Sequence, residues 1–274
     1  MASYILLHQA SLRIICFGFV LLVMAGLELL RPRRAVTIFK NYRWRNNLGL
    51  VFLNTILIKL IFPLTASGVA LWAESIHLGL FNYLGFTAWW VILLAIIILD
   101  LVIYCQHVLF HVCPFLWCLH QVHHADLGFD VTTGVRFHPL EIIVSLLIKF
   151  AVIMLFGIPP VAVVIFEITL NAAAMFNHSN VNLAPKFDRL LRKVLVTPDM
   201  HRVHHSILPE ESRHNFGFNL ACWDRLFGTY QAEPKYGHLA MEIGLEDIRQ
   251  PQLTQSLFSM LRLPFVRHKQ QKSV

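Results

Sequence analysis

Two nearly identical pentamers, His120-Gln-Val-His-His124 and His201-Arg-Val-His-His205, stand 81 positions apart in a chain of 274 residues. A shorter group, His107-Val-Leu-Phe-His111, precedes them. Imidazole is the commonest protein ligand for metals. Helical residues four apart share a face, with Cβ atoms about 5–6 Å apart. His107 and His111 can therefore address one ion, and the i, i+3, i+4 spacing of each pentamer brings three imidazoles to one side. A single histidine at a membrane interface is ordinarily a satisfied polar residue, but eight in three clusters outnumber that role. A catalytic zinc takes about three protein ligands, so eight imply two ions. Spacing leaves the metal open, because imidazole suits zinc, copper, iron and nickel alike.

Other chemistries lack their residues. His107 and His111 enclose Val-Leu-Phe, so the glutamate of a HExxH zinc protease is missing. Neither a GxxxxGK[ST] phosphate loop nor a GxSxG elbow occurs. Asp100 and Tyr104 lie seven and three positions before His107, on its helical face. A carboxylate inside a membrane helix is costly and usually functional, and metal-bound imidazoles tend to donate their second N–H to a carboxylate or carbonyl. Asp100 is thus a candidate to orient a ligand. Asp126, Asp130, Glu141, Asn177, Asn180 and Asp199 either orient imidazoles or cap helices; for Asp199, in Thr-Pro-Asp-Met-His201, capping is the reading preferred. Trp223-Asp224-Arg225 reads as packing.

The elements that must carry these residues are apolar. Hydrophobic residues make up 56% of the chain and charged ones 14%, with a mean hydropathy of +0.58, against about 45–50% and about 25% in ordinary soluble domains. This is the composition of a multi-pass membrane protein. The net charge of +7 sits beside apolar runs, which fits the positive-inside rule and excludes nucleic acid as the partner. Three runs, roughly 11 to 30, 48 to 72 and 84 to 106, have the length of about 20 residues that a bilayer requires. A fourth, 142 to 176, is broken at Gly157-Ile158-Pro159-Pro160, which predicts two shorter helices forming a hairpin. Arg31, Arg33, Arg34, Lys40, Arg43 and Arg45 fill the first loop, while residues 1 to 10 and 73 to 83 carry no Lys or Arg. That asymmetry puts the first loop, and by counting spans every clustered histidine, in the cytoplasm. Lys59 sits awkwardly within the second span. The expectation is an all-α, polytopic membrane helical bundle, three spans plus a broken hairpin, with a cytoplasmic histidine-rich cap. Its segments are membrane spans at 1–83, a catalytic domain at 84–232 and a cytoplasmic tail at 233–274. Five cysteines with no CxxC pair suggest neither disulfides nor a thiolate metal site. The N-terminus reads as a retained span, its charge following the apolar run.

The three histidine groups in this order resemble the fatty acid hydroxylase / sterol desaturase superfamily of membrane di-iron oxygenases. The similarity extends through DVTTGVRFHPLE (130–141), FNHSN (176–180), VTPDMHRVHHS (196–206) and NFGFNLACWDRLFGTY (215–230), and covers roughly residues 90 to 232. It implies two iron ions on the cytoplasmic side, O2 as co-substrate, and hydroxylation or desaturation of an unactivated C–H bond in a lipid. It also implies His178 as an added ligand, and leaves His138 open between a ligand and a residue that orients one. The predicted metal set is then His107, His111, His120, His123, His124, His138, His178, His201, His204 and His205, supported by Asp100, Tyr104, Asp130 and Asn177. Two positions depart from the family pattern: Val108 stands where many members have arginine, and His214 precedes Asn-Phe-Gly, where it reads as a surface residue. His8, His77, His238 and His268 are scattered and carry no assigned role.

O2 activation needs two electrons from outside, and no cysteine pattern for an iron–sulfur cluster is present. A separate electron-donor protein, of cytochrome or ferredoxin type, is therefore expected, with a lipid substrate entering from the bilayer along the 142 to 176 hairpin. The basic end, 262 to 274, reads as a solvated tail near anionic lipid. Two rival classes use the same histidines: a membrane metal transporter or chaperone, and a zinc-dependent membrane hydrolase.

Overall fold

The computed structural model describes residues 1–35 and 39–266, whose regular elements are helices joined by loops, with four isolated bridges and no strand among the described residues. The helices that matter for the site are α1 (Gln9–Leu30), α2 (Lys40–Ile61), α3 (Ala66–Ser75), α4 (Trp89–Val112), α5 (Pro114–His124), α6 (Pro139–Phe156), α7 (Pro160–Asn177) and α8 (Pro198–His204). Five stretches are long and apolar enough to cross a membrane: α1, the run Lys40–Tyr83 that contains α2 and α3, α4, α6 and α7. Their outer faces carry the exposed apolar side chains a bilayer would cover, such as Ile14, Phe19 and Leu22 on α1 and Phe52 on α2. Inside, Ala70, Leu99, Ile153, Ala162 and Phe166 form the main core between α3, α4, α6 and α7.

The breaks follow from local chemistry. The hairpin of α6 and α7 turns at Gly157, whose φ of +65° is a left-handed conformation that glycine adopts at no cost. Pro160 opens α7 at its first position, where a missing N–H costs nothing. A side chain on Gly79 would collide with the Gly157 backbone, so the two glycines let the chains cross closely. The second span, expected as one helix over 48 to 72, is instead two. Phe62 precedes Pro63 in an extended conformation, as the proline ring demands, and α3 restarts with Thr65 accepting from the Gly68 N–H at 3.1 Å. The third span lies later than expected, at Trp89–Val112, so that His107 and His111 remain on the membrane helix itself.

The charge-rich first loop does more than mark a side of the membrane. Arg43 is wholly buried and donates to Asp126 through Nε (2.7 Å) and Nη2 (2.8 Å), and to Asp130 through Nη1 (2.8 Å). Burial alone would raise the Asp126 carboxyl, but Arg43 and Arg136 outweigh it and hold it well below the usual range. A Cβ on Gly128 would strike the Arg43 guanidinium. Arg34 donates to the Met241 carbonyl at 2.7 Å, Arg33 to Asp199 at 3.1 Å, and Glu28 accepts from the backbone of Val131 and Asn180 at 2.7 and 2.8 Å. The N-terminal helices are thereby fastened to the histidine-bearing segments across both expected boundaries, 83 and 232.

The C-terminal segment is packed rather than solvated as far as it is described. Met260 and Leu263 are buried against Leu50, Val122 and Ala125, and Arg136 donates to the Thr254 carbonyl. Residues 267–274, most of the expected basic tail, lie outside the described residues. All five cysteines are free. Arg43→Ala strands two buried carboxylates and should cost about 3–5 kcal/mol of stability. Gly128→Ala should lower the melting temperature in the same direction, and thermal unfolding of the detergent-solubilised chain measures both.

Candidate metal centre

Nine imidazoles meet at one end of the bundle in two groups. His107, His111, His120, His124 and His204 form the first, and His123, His178, His201 and His205 the second, with ligand atoms in each group within 4.8 Å of one another. Nε2 atoms point inward throughout. His107 Nε2 lies 3.1 Å from that of His120 and 3.0 Å from that of His204, and His111 faces His124 at 3.1 Å. In the second group, His178 Nε2 lies 3.0 Å from His123, 3.0 Å from His201 and 3.2 Å from His205.

The division is not the one spacing suggested. The three histidines of a pentamer do not converge on one ion: His120 and His124 join the first group and His123 the second, while His201 and His205 join the second and His204 the first. Adjacent helical residues differ by about 100° in direction. The His-His doublets at 123–124 and 204–205 therefore let one short helix feed two neighbouring sites. The rings of His124 and His205 stack across the boundary, 4.5 Å apart and 13° from parallel.

Tautomer logic says what these nitrogens want. A neutral imidazole has one N–H and one lone pair. His107 Nδ1 can donate only to the Phe216 carbonyl (2.8 Å), and His204 Nδ1 only to the His214 carbonyl (2.8 Å). Both Nε2 atoms then carry lone pairs that face each other at 3.0 Å. His178 is fixed in the same way by the Ala174 carbonyl (2.8 Å), and its single Nε2 lone pair cannot serve the three nitrogens around it. Burial pushes His123, His124, His201 and His205 well below the ordinary imidazole range and His204 down to about 3, so these five stay neutral. A cation between the nitrogens resolves the repulsion. Two nitrogens at right angles around an ion, each about 2.1 Å from it, lie about 3 Å apart, which is the spacing seen. The donor set fits two metal ions.

Carbonyls and one carboxylate hold the rings. His120 Nδ1 donates to Glu141 Oε1 at 2.7 Å. The Phe216 carbonyl is set by Asp224, which accepts from the N–H groups of Phe216 (2.7 Å) and Gly217 (2.8 Å) and from the Thr229 hydroxyl (2.8 Å). A Cβ on Gly217 would lie 2.6 Å from Asp224 Oδ2, so only glycine permits that cradle. Aromatic rings close the rear: Phe137 stacks on His123 at 4.6 Å, and Trp117 lies 4.9 Å from His111.

Several expected residues stand elsewhere. His138 is outside both groups; its Nδ1 caps α6 by accepting from the Leu140 N–H at 3.2 Å, and its Nε2 faces the Leu261 carbonyl at 3.3 Å. Asp100 touches no imidazole. It accepts from Asn219 (2.7 Å), the Leu220 N–H (3.2 Å) and Trp223 Nε1 (2.8 Å), and so anchors the loop that carries Phe216. Tyr104 hydrogen-bonds Thr229 at 2.9 Å, Asp130 receives Arg43 and Trp44, and Asn177 donates to the Phe218 carbonyl at 2.9 Å. Backbone carbonyls took the orienting role expected of these side chains. Sequence cannot name a carbonyl as a partner, since every residue has one. Asp199 is bound by Arg33 and Arg202, while Thr197 caps α8 by accepting from the Met200 N–H.

A cavity of about 540 Å3 begins at His107, His120 and Glu141 and runs between α1, α2, α4, α6 and α7. Ile103, Phe110, Leu146, Leu170 and Phe218 line it, with Phe110 beside His120 and Phe218 beside His107. Asn54 Oδ1, Gln106 Oε1 and Glu141 Oε2, all on residues of this wall, are buried without a hydrogen-bond partner.

The family model described as fatty acid hydroxylase matches residues 92–229. Ornithine lipid hydroxylase OlsE of Rhizobium tropici is 30% identical over 175 residues, covering 64% of this chain and 51% of that protein. Alkylglycerol monooxygenase of Xenopus tropicalis is 32% identical over 148 residues, covering 53% of this chain and 31% of that one, and the Homo sapiens protein of the same name is 34% identical over 133 residues, covering 47% and 28%. The chain thus spans between 28% and 51% of the length of these relatives. No solved structure matches it. The matched segment holds all nine converging histidines, and the chain belongs to the fatty acid hydroxylase family.

Proposed function

We propose that the chain is a membrane di-iron oxygenase that uses O2 to hydroxylate or desaturate a C–H position of a lipid. The observation that carries this reading is the junction of the first histidine group with an apolar-walled cavity among membrane helices. A volume of about 540 Å3 lies within the range of about 300–1,000 Å3 typical of small-molecule pockets. The names of the relatives, a lipid hydroxylase and monooxygenases acting on alkylglycerols, point to the same class of reaction.

Bound iron would supply the redox chemistry that activates O2. The protein's part is placement. Imidazoles fixed through Nδ1 keep Nε2 lone pairs aimed at the ions, and Glu141 fixes the tautomer and orientation of His120. Phe110, Phe137 and Phe218 limit water beside the histidines. Gln106 Oε1 and Asn54 Oδ1 can each accept a hydrogen bond from a hydroxyl on the nearby carbon. Hydroxylation consumes R–H, O2, two electrons and two protons and yields R–OH and water; desaturation with the same inputs yields an alkene and two waters. The electrons come from a separate donor protein. The arginine-rich first loop favours placing the histidine end on the cytoplasmic side.

Metal analysis of the purified chain should find about two irons per chain; one zinc, or loosely exchanging mixed metal, would refute the reading in favour of a hydrolase or a transporter. His204→Ala should abolish iron retention and activity together. Glu141→Ala, which removes no ligand, should weaken iron affinity by about 10–100-fold in a chelator competition. Lipid profiles of aerobic cells with and without the gene should differ by a gain of one oxygen or a loss of two hydrogens, and identical profiles would sink the oxygenase reading.

A further inference from the structure

The two ends of the cavity differ in chemistry. Lys149 of α6 lies eight residues beyond Glu141, and so about 12 Å deeper along the helix. Its Nζ donates to Glu167 Oε1 of α7 at 2.7 Å, and Arg13 of α1 donates to the other carboxylate oxygen. All three residues line the cavity, as does Lys59 of α2. Ionisable groups at membrane depth are costly and ordinarily neutralise one another. One carboxylate held between two cations is an ion triad that ties α1, α6 and α7 together, but one cation would suffice for that. The triad leaves an excess positive charge on the cavity wall, and Lys59 adds another.

A second observation points the same way. The break between α2 and α3 falls beside the triad, since Phe62, Thr65 and Ala66 line the same cavity. Interrupted helices at membrane depth persist where they border a cavity. The N-terminus of α3, ten residues long, brings to that border the positive end of its dipole. Phe62 packs edge-on against Phe150, next to Lys149 in sequence, at 5.6 Å.

We infer that Arg13, Lys149 and Lys59, with the N-terminus of α3, bind the carboxylate or phosphate of an anionic lipid whose hydrocarbon runs toward His107 and His120. This rests on the lipid-oxygenase reading for what happens at the histidine end. It sets the substrate class as an anionic amphiphile, and places the reacting carbon about 12 Å from the anionic group by the rise along α6.

Binding to the purified full chain tests this without any turnover. Hexadecanoate and hexadecyl phosphate are the anionic probes, and hexadecanol is the neutral one of equal length. At least one anion should bind about tenfold or more tightly than the alcohol, the worth of a charge-assisted contact. Lys149→Gln leaves a balanced Arg13–Glu167 pair and should cut the preference for the anion by about threefold or more, and adding Lys59→Gln should bring anion and alcohol within about threefold of one another. Glu167→Gln removes the only carboxylate of the triad and should keep or enlarge the preference. Equal binding of all three probes by the unaltered chain, or an unchanged preference in Lys149→Gln, would overturn the anion site. Iron content and lipid oxidation are read separately: their loss with the preference intact defeats only the oxygenase reading, and the converse defeats only the anion site.

Discussion

Lone pairs facing lone pairs are the constraint on which the rest of the structure depends. His107 and His204 each commit their single proton outward to a carbonyl, so their inner nitrogens repel at 3.0 Å unless a cation sits between them. Holding nine imidazoles, eight of them buried, in that arrangement is unfavourable for the protein alone. The surrounding framework must be rigid enough to keep it, and it is built from polar contacts spanning long stretches of sequence. Glu28 reaches Val131 and Asn180, Arg43 reaches Asp126 and Asp130, and Asp100 reaches Asn219, Leu220 and Trp223. Every one of these joins a membrane helix to a segment that bears or supports a histidine.

This explains how the charges of α1 and α2 are used. A buried arginine between two aspartates is weak evidence for added stability, since desolvation offsets much of the attraction. Its geometry is nonetheless specific: five fixed donors select one placement of the 126–136 segment. That segment leads from α5, which supplies three histidines, to α6, which supplies Glu141. Arg43 thus fixes the angle between two walls of the site without touching either metal group.

Much of this was legible in the sequence because it rests on short-range periodicity. The three histidine groups and the hairpin broken at Gly157 and Pro160 follow from residue type and spacing, while His178 beside the site came only through the family resemblance of FNHSN. What escaped was decided by tertiary placement. Asp100 sits on the same helical face as His107, and spacing made it an orienting carboxylate. Seven residues separate them by about 10 Å along the axis, and the loop of Asn219 and Trp223 reaches Asp100 first. His138 precedes a proline that starts α6, and its ring was drawn to the exposed N–H of Leu140 instead of a metal. Arg43 looked like a topology signal because sequence cannot distinguish a cation that faces anionic lipid from one that faces a buried carboxylate. Only its partners, 83 and 87 positions away, make the difference.

The split of each pentamer between two groups bears on why both are needed. A helix offering three imidazoles to one ion would leave the second ion dependent on distant loops, and the two sites could drift apart. With 123 and 124 on one helix, and 204 and 205 at the end of another, each short element grips both sites at once. Their separation is then set by helix geometry, which resists change better than a loop does. Both helices are brief, with α8 only seven residues long, so they cannot be stable by themselves. Their order comes from burial against the membrane bundle. The pair of sites and the two helices therefore form one cooperative unit, with the membrane bundle as its fixed base.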